Sequence, residues 1–407
     1  MSRLQALLDE LCPDGVEYLP LSSFLTIRNG SDYKQFGPGE IPVYGSGGVM
    51  AYVDTAAYDK PSVLIPRKGS IDKLYYVDTP FWNVDTIFYT EIDETITLPR
   101  YVYYCLQKEH LERLNTAGGV PSLTQAVLNK VKIPVPPLPV QAEIVRILDT
   151  FTELTDNLTE ELTLRRKQYT YYRDLLLSFD NADKSDNHNI VIPPPDWKNK
   201  VNLATLRGTV EFIALKDLFH TRNGYTPSKS KPEFWENGNI PWFRMEDIRE
   251  NGRILSDSIQ HITAKAVKSR LFPANSIIVA TSATIGEHAL ILVDSLANQR
   301  FTYLTLRAEY AAFFDVRFLY YYCFKLDEYC LANLNQGNFA SVDMDKFAQF
   351  KFPIVPLDEQ RRIVAILDRF DALCNDLTAG LPAELAARRK QYEYYRDKLL
   401  SFKELDT

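Results

Sequence analysis

The chain has 407 residues, of which 45% are apolar and 24% charged; that length accommodates two or three domains and that balance excludes extensive disorder. The net charge of −7 excludes a strongly basic surface as a property of the whole chain. No apolar run approaches the roughly 20 residues of a membrane span, and the first ten residues carry acids where a secretory leader is apolar.

In chain order, residues 1–15 read as a short helical segment. Residues 16–136 are rich in Val, Ile, Tyr, Phe and Thr in short runs punctuated by Gly, Asn and Pro, the pattern of short strands, with a helix expected over 100–114. Pro134, Pro136, Pro137 and Pro139 mark the start of a long helix over 137–180. Residues 181–209, polar and then Pro-rich, form a connector. A second module occupies 210–355, with a helix expected over 315–334. After Pro353 and Pro356 a second long helix covers 356–407, interrupted near Gly380 and Pro382.

The second half repeats the first. Residues 164–179 read LRRKQYTYYRDLLLSF and residues 387–402 read ARRKQYEYYRDKLLSF, identical at thirteen of sixteen positions. Upstream, residues 137–149 (PLPVQAEIVRILD) match residues 356–368 (PLDEQRRIVAILD). The second copy carries four extra residues between Leu377 and Arg388. The modules repeat more weakly: Arg28-Asn29-Gly30 parallels Arg222-Asn223-Gly224, the run 62–71 parallels 276–285, and 100–104 parallels 317–321.

In the helical blocks apolar residues recur at steps of three, four and seven, an amphipathic or coiled-coil stripe. It includes Ile144, Phe151, Leu158, Tyr172 and Phe179, and Ile363, Phe370, Leu377, Tyr395 and Phe402. These residues are expected to pack helix on helix or to dock partners, with Tyr172 and Tyr395 in the stripe and not free for base stacking. Residues 141–179 as helix would extend about 58 Å. The fold class expected is α+β: two pseudo-symmetric, mixed β-rich modules separated by two long antiparallel helices. Such an object presents two near-equivalent surfaces to two copies of a partner.

A Pro-Leu-x-x-Gln-x-x-Ile-Val-x-Ile-Leu-Asp block closing each variable module, followed by a long helix, resembles the specificity (S) subunit of type I restriction-modification systems. Gly224-Tyr225-Thr226-Pro227-Ser228-Lys229 and the segment 234–244 (FWENGNIPWFR) add to the likeness, which covers essentially the whole chain. The resemblance implies that each module is a target-recognition domain reading one half of a split sequence in double-stranded DNA. It implies that the helices set the unread spacer and dock two methyltransferase subunits, that those subunits bind S-adenosylmethionine and methylate adenine, and that motor-nuclease subunits join for cleavage. It implies no catalytic residue, cofactor or metal in this chain.

The residues agree with a chain that carries no chemistry. There is no phosphate loop and no amine-methylating Asn/Asp-Pro-Pro-Tyr/Phe tetrapeptide. Gly45-Ser46-Gly47-Gly48 does not complete a dinucleotide fingerprint and reads as a turn. The five cysteines, Cys12, Cys105, Cys323, Cys330 and Cys374, form no Cys-x-x-Cys pair, so buried reduced thiols in a cytoplasmic protein are expected. Pro13-Asp14 followed by Asp32-Tyr33-Lys34 matches a loose nuclease pattern, but both acids sit in turn sequences and the second module has no equivalent. Two alternatives therefore stand beside the specificity subunit: a self-contained metal-dependent nuclease, and a scaffold that binds protein only.

DNA contact requires local cations and polar loop residues. The first module offers Lys34, Tyr44, Ser46, Arg67, Lys68, Ser70 and Asn83. The second offers Tyr225, Thr226, Ser228, Lys229, Lys231 and Arg244. It also offers Thr281, Ser282, Thr284, Asn298, Gln299, Arg300, Gln336 and Asn338. The amides suit adenine and Arg300 suits guanine. Ordinary turn capping is the competing role for the polar loop residues.

Overall fold

The computed structural model describes residues 3–115, 120–179, 210–335, 340–376 and 379–405. The helices are α1 (Arg3–Leu11), α2 (Pro99–Lys108), α3 (Gln125–Leu128), α4 (Leu138–Leu176), α5 (Leu215–Leu218), α6 (Met245–Asn251), α7 (Val316–Ala332), α8 (Met344–Gln349), α9 (Leu357–Asn375) and α10 (Leu381–Leu399). None of them is long and apolar enough to cross a membrane. The architecture is α+β, two β-rich domains joined by the long helix α4. The connector 181–209 and Leu377 lie outside the described residues.

The chain divides into two compact units that do not follow the linear order of modules and helices. The first unit comprises residues up to Leu158 together with those from Leu385 onward; the second comprises Thr159–Glu384. Each unit therefore combines one β-rich module with pieces of both repeated helical blocks. The sequence reading divides the chain linearly, with 137–180 and 356–407 as segments of their own beside the modules; the compact units group those segments with the modules. The physical reason is that a lone amphipathic helix has an apolar stripe to bury, and each module supplies a surface for it.

The strands of the first unit are β1 (Tyr18–Pro20), β2 (Leu25–Asn29), β3 (Ile41–Gly45), β4 (Gly48–Val53), β5 (Ser62–Pro66), β6 (Tyr75–Val77), β7 (Trp82–Asn83), β8 (Ile87–Ile92) and β9 (Lys132–Pro134). They form a four-stranded sheet in the order β2-β8-β5-β6, a three-stranded sheet β4-β3-β7 and the pair β1-β9. β5 is buried along its whole length, as a Val-Leu-Ile run at the centre of a sheet requires. The core joins this sheet to α2, to the start of α4 through Val140, Ile144 and Leu148, and to Leu400.

The second unit contains β10 (Glu211–Ala214), β11 (Phe219–Asn223), β12 (Ile240–Phe243), β13 (Ile254–Leu255), β14 (His261–Ile262), β15 (Ser276–Ala280), β16 (His288–Ile291), β17 (Leu296–Ala297), β18 (Phe301–Leu306) and β19 (Lys351–Ile354). Its main sheet runs β11-β18-β15-β16-β13, beside β14-β12-β17 and β10-β19. The first four strands of that sheet repeat β2-β8-β5-β6 in order and direction. Where β3 of the first unit turns back into β4, β12 leads into α6, so one position carries a hairpin in one unit and a helix in the other.

The repeated helical residues make the same contacts twice. In the first unit Phe151 stacks on Tyr395, with centroids 5.3 Å apart. In the second, Tyr172 stacks on Phe370 at 5.7 Å. There the end of α4 runs antiparallel to α9, since Arg166 donates to the Cys374 carbonyl while Tyr169 and Tyr172 meet Phe370. Ile144 and Ile363 are fully buried, and Phe179 and Phe402 pack into the cores of the second and first units respectively. Leu158 is half-buried.

Where the first block is one helix, the second is two. A Cβ at Gly380 would lie 2.5 Å from the Ala372 carbonyl oxygen, so only glycine permits this close return of the chain. Pro382 sits in the first turn of α10, where its missing N–H costs nothing.

The repeated motif residues hold module to helix. Gln141, fully buried, accepts from the Leu98 N–H (2.9 Å) and donates to the Pro136 (2.8 Å) and Ile96 (3.1 Å) carbonyls. Gln360, its counterpart, accepts from the Asp315 N–H (2.8 Å) and donates to the Val355 (2.6 Å) and Phe313 (2.8 Å) carbonyls. Tyr104 donates to Asp149 (2.5 Å), and Tyr321 donates to Asp368 (2.6 Å). Arg100 and Arg317 pair with the same two carboxylates. Burial and the adjacent carboxylate push both tyrosine hydroxyls well above their ordinary range, so they stay protonated donors.

Candidate nucleic-acid interface

In each unit the loop that follows the central strand meets the turn that precedes the next one. Backbone hydrogen bonds fix the pair: Arg67 N–H to the Thr86 carbonyl (2.9 Å) in the first unit, Thr281 N–H to the Arg300 carbonyl (3.0 Å) in the second. A third segment closes each cluster. Leu123 N–H donates to the Arg67 carbonyl and Val342 N–H to the Thr281 carbonyl, each at 2.9 Å. Lys68 and Ser122 form an isolated bridge, as do Ser282 and Ser341. The two clusters share one backbone design and differ in side chains.

The first cluster gathers Ser46, Arg67, Lys68 and the turn at Asp85-Thr86. Ser46 N–H donates to the Thr86 hydroxyl (3.3 Å), and its carbonyl accepts from Tyr75 (3.2 Å). Arg67 reaches the Asp85 carbonyl at 3.5 Å and lies over the Phe88 ring. Lys68 is exposed and Ser70 half-buried. Tyr44 is half-buried, its ring against Tyr75 and Phe81. Asn83 does not belong to the surface: it is fully buried and its amide donates to the Ile87 carbonyl (2.8 Å), a structural role.

Lys34 stands apart from this cluster in an exposed turn, its N–H donating to Asp32 (3.2 Å). That bond gives Asp32 an ordinary turn role. Among the described residues no group of three or more His, Cys, Asp or Glu is placed to hold a metal ion. Burial pushes the Cys105 and Cys330 thiols up to about 12.

The second cluster brings Thr226, Ser282, Thr284, Asn298, Gln299 and Arg300 together. Thr226 donates to the Gln299 side-chain carbonyl at 2.5 Å, across 73 residues of sequence. Arg300 N–H donates to the Asn298 side-chain carbonyl (3.0 Å). Thr284 N–H donates to the Ser282 carbonyl (3.0 Å). Thr281 is buried and its hydroxyl shares a hydrogen bond with Thr302 (2.9 Å), which withdraws it from the surface.

Tyr225 is half-buried; its hydroxyl donates to the Ala266 carbonyl and accepts from the Lys268 N–H, so it shapes the loop from within. Ser228, Lys229 and Lys231 are exposed on the loop that Trp235 closes by donating to the Ser228 carbonyl. Arg244 lies half-buried over Trp242 with Glu246 at 3.9 Å. Gln336 and Asn338 lie outside the described residues.

Sequence reasoning missed Asp85 and Thr86 because a lone acid in a turn carries no compositional signal. Their equivalence to Gln299 and Arg300 follows from the repeat once the strand registers align Ile87 with Phe301.

The chain matches the family model for the type I restriction modification DNA specificity domain over residues 13–164 and 208–387. It is 35% identical to the type I restriction enzyme EcoR124I/EcoR124II specificity subunit of Escherichia coli, over 100% of this chain and 98% of that one. It is 60% identical over 203 residues to the EcoprrI specificity subunit of Escherichia coli, a match that spans 48% of this chain and about half (51%) of that relative. Its fold is similar to the crystal structure of a type I restriction-modification S subunit from M. genitalium, with a TM-score of 0.58 at 18% identity, covering 95% of this chain and 96% of that one. A chain from a structural study of complex assembly and conformational transition of the type I R-M system aligns with a TM-score of 0.56 at 15% identity, covering 96% and 98%. Two family-model matches that fall on the two modules, and a relative aligned over the full length, make the conclusion plain: this chain belongs to the specificity subunits of type I restriction-modification systems.

Proposed function

We propose that this chain is a non-catalytic subunit in which each unit reads one half of a bipartite target in double-stranded DNA. The repeated helices set the unread spacer and dock two methyltransferase subunits, which bind S-adenosylmethionine and methylate adenine; motor-nuclease subunits join them for cleavage. The observation that carries this reading is the loop-and-turn cluster, built twice on one backbone design with different side chains on it. A scaffold for proteins alone has no need of two polar surfaces that vary on a constant frame. Membership of the specificity family supports the same reading.

Charge adds a condition. Residues 16–136 hold 11 basic and 13 acidic side chains, and residues 210–355 hold 16 of each. Residues 216–270, with ten basic against seven acidic, are a locally positive stretch. Phosphate neutralisation sets DNA affinity, so the isolated chain binds DNA weakly and its partners supply much of the grip.

The test is base-modification sequencing of DNA from a methylation-free host that expresses this chain with its neighbouring methyltransferase subunit, against the methyltransferase alone. A split adenine-methylation motif that appears only with this chain is the expected result. With the partner folded and bound, absence of any motif removes the reading. Deleting the four extra residues near Gly380, about one helical turn, should alter the spacer while both half-sites stay the same.

A further inference from the structure

The turns at the two clusters are built alike and carry opposite hydrogen-bonding character. In the second unit Asn298 N–H donates to the Phe243 carbonyl (3.1 Å) and Phe301 N–H to the Asn298 carbonyl (3.2 Å). In the first unit the same two bonds run from Val84 to Tyr44 (2.9 Å) and from Ile87 to Val84 (3.1 Å). Asn298, Gln299 and Arg300 therefore stand where Val84, Asp85 and Thr86 stand.

In the second unit both amides are held by their carbonyl ends. Asn298 Oδ1 accepts from the Arg300 N–H, and Gln299 Oε1 accepts from Thr226. Held this way, each amide has its NH2 end free of those bonds. Gln299 and Arg300 are exposed, and a guanidinium has donors and no acceptor. This turn is a donor surface. At the equivalent place in the first unit the exposed residue is Asp85, whose carboxylate only accepts. A turn whose general task was to grip phosphate would not carry a carboxylate in one of its two copies, since that charge repels the backbone.

Among base edges in the major groove, guanine alone offers two acceptors side by side, N7 and O6. Adenine pairs an acceptor with a donor, thymine sets one acceptor beside a methyl group, and cytosine offers a donor. We infer that the 298–300 turn reads a guanine in the half-site of the second unit. Gln299 and Arg300 are its specificity-determining side chains, and Thr226 positions Gln299. Asp85 in the first unit takes an amino edge, cytosine N4 or adenine N6. This reading differs from the expectation that the amides at 298 and 299 suit adenine, and the experiment below decides between them. The inference rests on the reading proposed above, that each unit reads one half-site.

The experiment is modification sequencing of the assembled methyltransferase complex, comparing wild type with three changes: Gln299→Ala combined with Arg300→Ala, Thr226→Val, and Asp85→Ala. The wild-type motif should contain a G·C pair in one half-site that the combined variant relaxes. The loss of discrimination there should be roughly 5- to 150-fold, the range for a bidentate base contact. Thr226→Val should relax the same position by less. Asp85→Ala should relax a position in the other half-site, one that carries cytosine or adenine. In each variant the untouched half-site stays fully specified, which reports that the complex has folded.

Two results would overturn the inference. One is an even fall in methylation with an unchanged motif, the behaviour of a phosphate contact. The other is a relaxed position that is not G·C. A wild-type complex that methylates no defined motif would instead remove the half-site reading itself.

Discussion

The two units share a frame and part company in how they fill it. In both, a buried glutamine ties the start of a helix to the module, and a tyrosine and an arginine meet one aspartate. Beyond that tyrosine they diverge. The first unit has a cavity of about 410 Å³ lined by Leu74, Gln107, His110 and Arg396 among others. At the positions corresponding to the first three, the second unit places His288, Phe324 and Asp327. The His288 ring packs against Tyr320 and Phe324, and its Nδ1 lies 2.7 Å from Asp327. Arg253 approaches Asp327 at 3.7 Å. The difference teaches that the clamp between module and helix is what the repeat preserves, while the interior beside it can be an open cavity or a buried histidine–aspartate hydrogen bond with an arginine at its edge.

The largest expected effect tests that filled interior. His288→Leu leaves Asp327 buried with only the longer Arg253 contact, at a cost of about 3–5 kcal/mol. His288→Leu with Asp327→Leu should cost much less, because the buried carboxylate goes with its partner, while Arg253 is partly exposed and keeps its bond to the backbone carbonyl of residue 288. Urea denaturation of both variants checks this; equal losses would mean that the pair carries no special weight.

Next in size is the shared clamp. Gln141→Leu and Gln360→Leu each leave buried backbone groups without partners, at about 1–3 kcal/mol per group. Both substitutions should lower the denaturation midpoint, and by similar amounts. A loss confined to one of them would break the equivalence of the two clamps.

A smaller effect sits in the clusters themselves. Gly69 and Ala283 occupy the same step of the loop, both with positive φ, +83° and +68°. A left-handed alanine costs roughly 1 kcal/mol relative to glycine. Ala283→Gly should therefore stabilise the second unit by about 1 kcal/mol or less, and Gly69→Ala should destabilise the first by about as much. Melting temperatures that move in the same direction for the two would refute the shared geometry.

The smallest effect depends on pH. Asp371 takes the place held by Thr152 in the first repeat, and burial raises its pKa above the usual carboxylate range. A group whose pKa is raised on folding contributes stability below its unfolded pKa and loses it as pH rises through the folded one. Asp371→Asn should thus stabilise the protein at neutral pH and change little in acid. Thermal melts across that range decide it, and an equal gain at every pH would rule out ionisation as the cause.

Much of this was legible in sequence because a repeat is a built-in comparison. The stripe that carries Phe151, Phe370, Tyr172 and Tyr395 announced helix packing, and Gly380 with Pro382 announced the break between α9 and α10. What the sequence could not disclose was which helical piece packs where, since each half of an amphipathic stripe is equally able to cover either module. Site residues were legible as loops and not as roles. Asn83 and Thr281 look like surface polar residues until strand pairing buries them. Thr226 and Gln299 are 73 residues apart, and only the fold makes them neighbours.

The division of the chain also has a consequence in time. The second unit is one unbroken stretch, Thr159–Glu384, whereas the first is made of two pieces that flank it. Val16 N–H donates to the Lys403 carbonyl, and Leu400 sits in the same core as Ile144 and Leu148. A ribosome adding roughly 5–20 residues per second needs about 10–45 s to make the intervening stretch. During that interval the earlier-made module waits with part of its apolar surface uncovered. The module synthesised first is therefore the one completed last, and its exposed edge sets the moment at which a nascent chain is most open to capture by a chaperone or a protease.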